Sequence, residues 1–219
     1  MIICIGGILN SKELNFVRSE IGRLTFIDGR STAGWSARLV KDNEQAEPDT
    51  RLEALRQRIE THILDNELFQ IAARPKAMTP LLFSRYLSGK QYGTHVDDAL
   101  MGGMRTDLSF TLFLADPQSY DGGELVIESS AGEQSFKLDA GSMFLYPTTA
   151  LHRVEPVKSG VRLAAVGWVR SFVRSAEQRE ILFDLETARR ELFERDGKTK
   201  FFDLLSKCNA NLLRMWTED

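Results

Sequence analysis

Positive charge is not in surplus in this chain: 28 Lys and Arg stand against 31 Asp and Glu, for a net charge of −3. A protein that neutralises a phosphate backbone needs a basic excess, so nucleic acid is not an expected partner. Cysteine is scarce as well. Cys4 and Cys208 lie at opposite ends of the 219 residues and form no spaced cluster, which excludes a disulfide framework and a zinc knuckle. Two buried thiols in a reducing compartment are the expectation. No apolar run approaches the roughly 18 residues that suggest a bilayer-spanning helix, so no membrane association is expected. The opening MIICIGGIL is nine residues long and lacks a cationic start, unlike a secretory signal, so a cytoplasmic location is expected. Internal repeats and low-complexity segments are absent too.

What is present is ordinary globular composition, 42% apolar and 27% charged, in a length that suits one domain. Helical spacing opens the chain. Asn10 with Glu13 three residues on predicts a helix start, and Leu14, Val17, Ile21 and Leu24 follow one face. Residues 27 to 50 are polar with scattered Gly and Ser, and are expected to be loop or irregular strand walling a site mouth. A second helix is predicted from Thr50, with Leu52, Leu55 and Ile59 as its stripe, ending near Asn66. From about residue 81 the period changes to two. The runs LLFSRYL, TDLSFTLFLAD, GGELVIES, EQSFKLD, SMFLYP and GVRLAAVGWV predict an all-β sandwich or barrel. After Arg170 helical spacing returns. Ser175 with Gln178 predicts a cap, Ile181, Leu182, Leu185, Ala188, Leu192 and Phe193 an apolar face, and Gly197 a break before a last helical segment with Phe201, Phe202, Leu205, Leu212 and Trp216.

The chain has three histidines, and two fall in the β region. His95 and Asp97 are spaced i, i+2, which on a strand points both side chains to one face, and Asp98 to the other. His152 lies where a strand would resume after a Pro-Thr-Thr turn. Two imidazoles and one carboxylate on one side of a metal leave positions free for a bidentate cosubstrate and oxygen, the arrangement of non-haem iron(II) oxygenases. In GVRLAAVGWV, alternation puts Arg162, Ala164, Val166 and Trp168 on one face of an otherwise apolar strand. A guanidinium in a closed space calls for an anion, and its fork suits a carboxylate.

The stretch RYLSGKQYGTHVDDA, with LSFTLFLADPQSYDGGELVIES and GSMFLYPTTALHRVEPVKSGVRLAAVGWVRS, resembles the prolyl/lysyl-hydroxylase-domain branch of the 2-oxoglutarate oxygenases, and more closely the bacterial PKHD-type hydroxylases. The resemblance runs from about 80 to 172, and the helical tail is similar to that bacterial group. It implies a mainly β protein with flanking helices, built on a double-stranded β-helix (jelly-roll) core. On that reading 1–79 is N-terminal helical and strand support of the core, 80–172 the dioxygenase core and 173–219 a helical extension. It implies iron(II) on His95, Asp97 and His152, the far carboxylate of 2-oxoglutarate on Arg162, and Tyr86 in the cosubstrate pocket. Hydroxylation of a small-molecule or peptidyl substrate with O2, releasing succinate and CO2, follows from it, with L-ascorbate as a candidate auxiliary. Many relatives outside the branch carry a serine two residues after the arginine; here it is Ala164, leaving Tyr86, Ser109 or Thr111 to supply a hydroxyl.

Other readings stand beside this one. A cupin-like metal protein, isomerising or binding a small anion without oxygen chemistry, would use the same ligands. His62 continues a helical stripe and suits a core edge, Tyr92 and Trp168 suit core or pocket wall, and Asp121 to Glu124 suits a turn. The segment ALMGGMRTD is either a mobile rim or a plain loop between strands, and the tail helices are either core cover or a homodimer contact.

Overall fold

The computed structural model describes residues 1–218. Asn10 accepts the Glu13 backbone N–H at 3.0 Å, so its side chain satisfies a helix-end donor and starts α1 (Ser11–Ile21), after a short strand β1 (Ile3–Ile5). Strands β2 (Phe26–Asp28), β3 (Lys41–Asp42) and β4 (Glu44–Ala46) lead to α2 (Thr50–Asp65). Its cap is Asp49, one residue earlier than the Thr50 start implies, with Oδ1 accepting from Leu52 N at 2.6 Å. Helix α3 (Glu67–Ala73) and strand β5 (Pro75–Met78) close this part.

Twelve strands follow. They are β6 (Leu82–Tyr86), β7 (Gln91–His95), β8 (Leu100–Met101), β9 (Met104–Arg105), β10 (Leu108–Phe113) and β11 (Tyr120–Gly122). Then come β12 (Leu125–Ser129), β13 (Gly132–Phe136), β14 (Met143–Pro147), β15 (His152–Val154), β16 (Val157–Gly160) and β17 (Arg162–Ser171). The chain ends in α4 (Ala176–Asp196) and α5 (Lys200–Trp216). No described helix is long and apolar enough to cross a membrane.

Eight strands form a major sheet in the order β1-β14-β10-β17-β6-β4-β2, with β5 also on β17, and a minor sheet runs β13-β12-β15-β7-β3. Alternation explains why both faces of the major sheet are buried. Leu108, Phe110 and Leu112 of β10, with Met143 and Leu145 of β14, pack with Leu14, Val17, Leu52, Ile59 and Phe69 of the helices. Phe113 and Phe144, one residue out of phase, pack instead with Leu125, Ile127 and Val154 of the minor sheet. Each such side chain stabilises the fold by about 1.5–3 kcal/mol. The result is a helix layer on a two-sheet roll, mostly antiparallel β with five helices, as a jelly-roll core requires.

The first 79 residues hold five strands besides the helices, and these extend both sheets. Several expectations need correction. The expected buried thiols are both exposed. Cys4 sits on edge strand β1 and alternates against buried Ile5, while Cys208 lies on the outer side of α5. The segment ALMGGMRTD is a tight hairpin, β8 on β9, whose two turn residues Gly102 and Gly103 both have positive φ (57° and 80°), the backbone a two-residue turn of this twist demands. In α4 the expected apolar face is only partly used. Leu182 is buried, but Ile181 and Phe193 are 47% and 50% exposed, and Arg179 and Glu186 are buried in their place. Glu186 is taken up by Arg189, Arg190 and Asn209, so the α4–α5 contact centres on a polar cluster.

Candidate active site

The three sequence-nominated ligands meet between the two sheets. His95 ends β7 and His152 begins β15, and the two residues are register partners in the minor sheet. Strand β7 stops at His95, so Asp97 lies just beyond the strand expected to carry it; its carboxylate still turns to the same side. Asp97 Oδ1 is 3.9 Å from His95 Nε2, and Oδ2 is 3.7 Å from His152 Nε2. One ligand atom from each of the three lies within 4.8 Å of the others.

The backbone chooses the tautomers. His95 Nδ1 is 2.9 Å from Gly93 O, and His152 Nδ1 is 3.1 Å from Ala150 O. A carbonyl only accepts, so each Nδ1 carries the proton and each Nε2 offers a lone pair to the shared space. Burial, and secondly the neighbouring His152, push the His95 pKa down to about 4, keeping the imidazole neutral. Tyr92 stacks on His95 at 3.7 Å between centroids, and the Tyr146 ring edge meets His152 at 5.1 Å. Ser109 Oγ donates to Asp97 Oδ2 at 2.7 Å and lies 3.2 Å from Thr148 Oγ1. Ser109 therefore orients the carboxylate, so its hydroxyl serves Asp97, and of the three candidate hydroxyls Tyr86 and Thr111 remain to face the cosubstrate.

A cavity of about 250 Å³ opens beside this cluster, lined by His95, Asp97, His152, Tyr86, Arg162 and Lys41 among others. Tyr92 and Trp168 are in its wall, as is Met101 of the hairpin. Arg162 is 1% exposed, paired across the ladder with Tyr86 and lying 5.0 Å over its ring. Its Nε and Nη2 have no hydrogen-bond partner among the described residues. Gly123 (φ +68°) makes room for it, since a Cβ there would stand 3.0 Å from Arg162 Cδ. The DGGE turn thus does more than open a strand.

Sequence reasoning missed three side chains here. Tyr120, at the head of β11, has its hydroxyl buried and unpartnered beside Arg162; burial raises its pKa and the guanidinium opposes the rise. Asn43 is 3% exposed and faces Tyr86, and its two polar atoms have no partner at hydrogen-bond geometry among the described residues. Lys41 reaches the cavity from β3. Only the last two carry a sequence signal, the alternation Lys41, Asn43, Gln45, which places polar groups inward. His62 sits at a helix edge 3.3 Å from Glu13, away from the cavity.

A profile described as the 2OG-Fe(II) oxygenase superfamily matches residues 81–170, the span that carries all four nominated residues and Tyr86. A PKHD-type hydroxylase of a Synechococcus species is 55% identical over the whole of both chains. The chain belongs to the PKHD-type hydroxylases. This PKHD-type hydroxylase is accordingly a 2-oxoglutarate-dependent dioxygenase that uses iron(II), and that membership, rather than a cupin-like binding role, accounts for the His–Asp–His cluster. Among solved structures, a prolyl-4-hydroxylase of Pseudomonas putida aligns over 78% of this chain and 92% of its own, at 19% identity and TM-score 0.57. HygX of Streptomyces hygroscopicus, solved with nickel, 2-oxoglutarate and hygromycin B, aligns over 78% and 84%, at 15% identity and TM-score 0.58. These two likenesses establish the shared fold.

The residues present fit both groups the family uses. Two neutral imidazoles and a carboxylate suit iron(II), and the buried guanidinium with two idle N–H donors suits a carboxylate.

Proposed function

We propose that His95 Nε2, His152 Nε2 and the Asp97 carboxylate hold the iron(II), and that Arg162 holds the far carboxylate of 2-oxoglutarate, with Tyr86 beside it. The observation that carries this reading is the orphaned guanidinium of Arg162 in the same cavity as the three converging ligands. A buried cation without a partner costs free energy, and a diacid bridging it to the metal removes that cost.

When bound, iron(II), 2-oxoglutarate and O2 supply the oxidation, in which the cosubstrate leaves as succinate and CO2 and a substrate C–H becomes C–OH. The protein's own part is placement. Gly93 and Ala150 carbonyls hold the imidazole protons away from the metal side, and Ser109 fixes Asp97. Arg162 sets the direction of the cosubstrate, with the Tyr120 hydroxyl as a further donor to the same carboxylate. Tyr92, Tyr146 and Trp168 keep the space dry.

The substrate is a small molecule or a peptidyl side chain. L-ascorbate serves as auxiliary reductant, and the protein works in the cytoplasm, where unpaired Cys4 and Cys208 stay reduced. A homodimer through the tail uses the exposed apolar residues Phe201, Leu204 and Met215 of α5. Incubation with iron(II), ascorbate and 2-oxoglutarate should release succinate, and His95→Ala should abolish it. Succinate release unchanged in His95→Ala would refute the assignment.

A further inference from the structure

One buried charge in the cavity has no task in the reaction above. Lys41 is 5% exposed, and its ammonium donates to Thr32 Oγ1 at 2.8 Å and lies 5.1 Å over the Tyr92 ring. No carboxylate pairs with it at contact distance among the described residues; Asp97 and Asp28 act on it only from further off. Asp28 is exposed and occupied by Arg30, and Asp98, at the rim, is exposed as well. An ammonium has three donors, so two remain free. Thr32 itself is occupied with Gly29 O and Gln45 Oε1, and gives Lys41 a rigid mount.

A charge balance of the loaded site shows what is missing. Counting the buried groups, Arg162, Lys41 and a divalent ion bring four positive charges, while Asp97 and the 2-oxoglutarate dianion bring three negative ones; Asp98 also lines the cavity but faces water. One positive charge stays uncompensated in a closed space, and it resides on the group that neither metal nor cosubstrate engages. Water or a neutral substrate would leave that cost standing. A phosphate monoester, at roughly −1.5 to −2, would overshoot it. A carboxylate matches it.

We propose that Lys41 is the anchor for a carboxylate on the substrate, so that this enzyme hydroxylates an anionic molecule or an anionic residue of a peptide. The proposal rests on the metal and cosubstrate assignment given above, and extends it to substrate class. Lys41 then holds the anion from β3 while the carbon to be oxidised lies toward His95 and Asp97. The residue is a binding and specificity group with no part in the oxidation itself.

The test uses full-length enzyme loaded with manganese(II) and 2-oxoglutarate under nitrogen, studied by calorimetry. N-acetylglycine, its amide and the peptide acetyl-glycyl-glutamyl-glycine amide are the probes. An acid should bind at least about tenfold more tightly than the uncharged amide, from loss of one charge-assisted contact. N-acetylglycine preferred points to a free acid, the glutamyl peptide to an acidic side chain. Lys41→Met should erase the preference and Lys41→Arg should keep it. Thr32→Val removes the mount but leaves the charge, so the preference should survive there, which separates anion binding from a merely structural role. Affinity for 2-oxoglutarate should stay within about threefold in Lys41→Met, since Arg162 carries that contact. The proposal is overturned if acid and amide bind the wild type alike, or if Lys41→Met loses 2-oxoglutarate as severely as Arg162→Met does. Manganese(II)-loaded wild type that fails to bind 2-oxoglutarate would instead sink the underlying assignment, and the proposal with it.

Discussion

Replacing Arg162 by methionine should do two opposite things to one protein. In the free enzyme the guanidinium is 1% exposed with Nε and Nη2 idle, and its compensation comes from the Tyr86 and Phe113 rings at 5.0 and 5.5 Å. A methionine of similar length fills the space without that desolvation cost. Replacement of buried ion pairs by well-packed apolar groups is often neutral or stabilising, by about 1–4 kcal/mol, and a cation with no paired carboxylate lies toward the stabilising end. At about 2–4 °C per kcal/mol for a chain of this size, Tm of the free variant should rise by at least about 2 °C. Binding should move the other way. Loss of two charge-assisted hydrogen bonds at about 1.5–3 kcal/mol each removes about 3–6 kcal/mol. That is about a hundredfold to ten-thousandfold in Kd for 2-oxoglutarate. Differential scanning calorimetry of the metal-free protein and anaerobic titration of the manganese(II) form measure the two effects. A variant that melts lower than wild type and still binds 2-oxoglutarate within threefold would refute the reasoning on both counts.

Metal should stabilise the fold by mass action: manganese(II) at about 100 times its Kd adds about 2.7 kcal/mol, and the Tm gain should vanish in His95→Ala or with a chelator. Ser109→Ala removes the donor to Asp97 and should weaken metal binding about tenfold to a hundredfold with little change in 2-oxoglutarate contacts, read by competition with a metal indicator. The Arg58 hydrogen bond holds the Glu13 carboxyl down to about 2 from its ordinary 4.5. A depressed carboxyl contributes stability above its unfolded value and loses it as pH falls through the folded one. Wild type should therefore lose Tm more steeply than Glu13→Gln between about pH 4.5 and 2, and parallel acid limbs would argue against the pair.

The strands β10, β14 and β17 were legible because each alternates bulky and branched side chains over five or more residues. His95, Asp97, His152 and Arg162 were legible for a different reason: histidine is rare here, and an arginine that opens the apolar run RLAAVGWV has little else to do. The strands before residue 79 could not be bounded individually because they are two to four residues long, and tertiary pairing, not local propensity, makes them strands. In β3 and β4 the usual polarity is inverted. Lys41, Asn43 and Gln45 are buried, so of the two readings of this polar segment, loop or irregular strand, it is strand here, facing a polar site. Tyr120 had no signal at all, since its position beside Arg162 depends on the β11–β16 pairing bringing its strand alongside. The thiols were misjudged because residue type alone says nothing about which side of an edge strand or tail helix is covered.

The pairing of His95 with His152 across β7 and β15 ties the chemistry to the zipper of the minor sheet. Sliding either strand by one tooth would throw an imidazole to the opposite side of the sheet and scatter the cup. Correct alignment of these strands and convergence of the two imidazoles are thus one and the same condition. An ion held by both imidazoles would act as a clasp on that alignment, since it could not be shared by strands out of step.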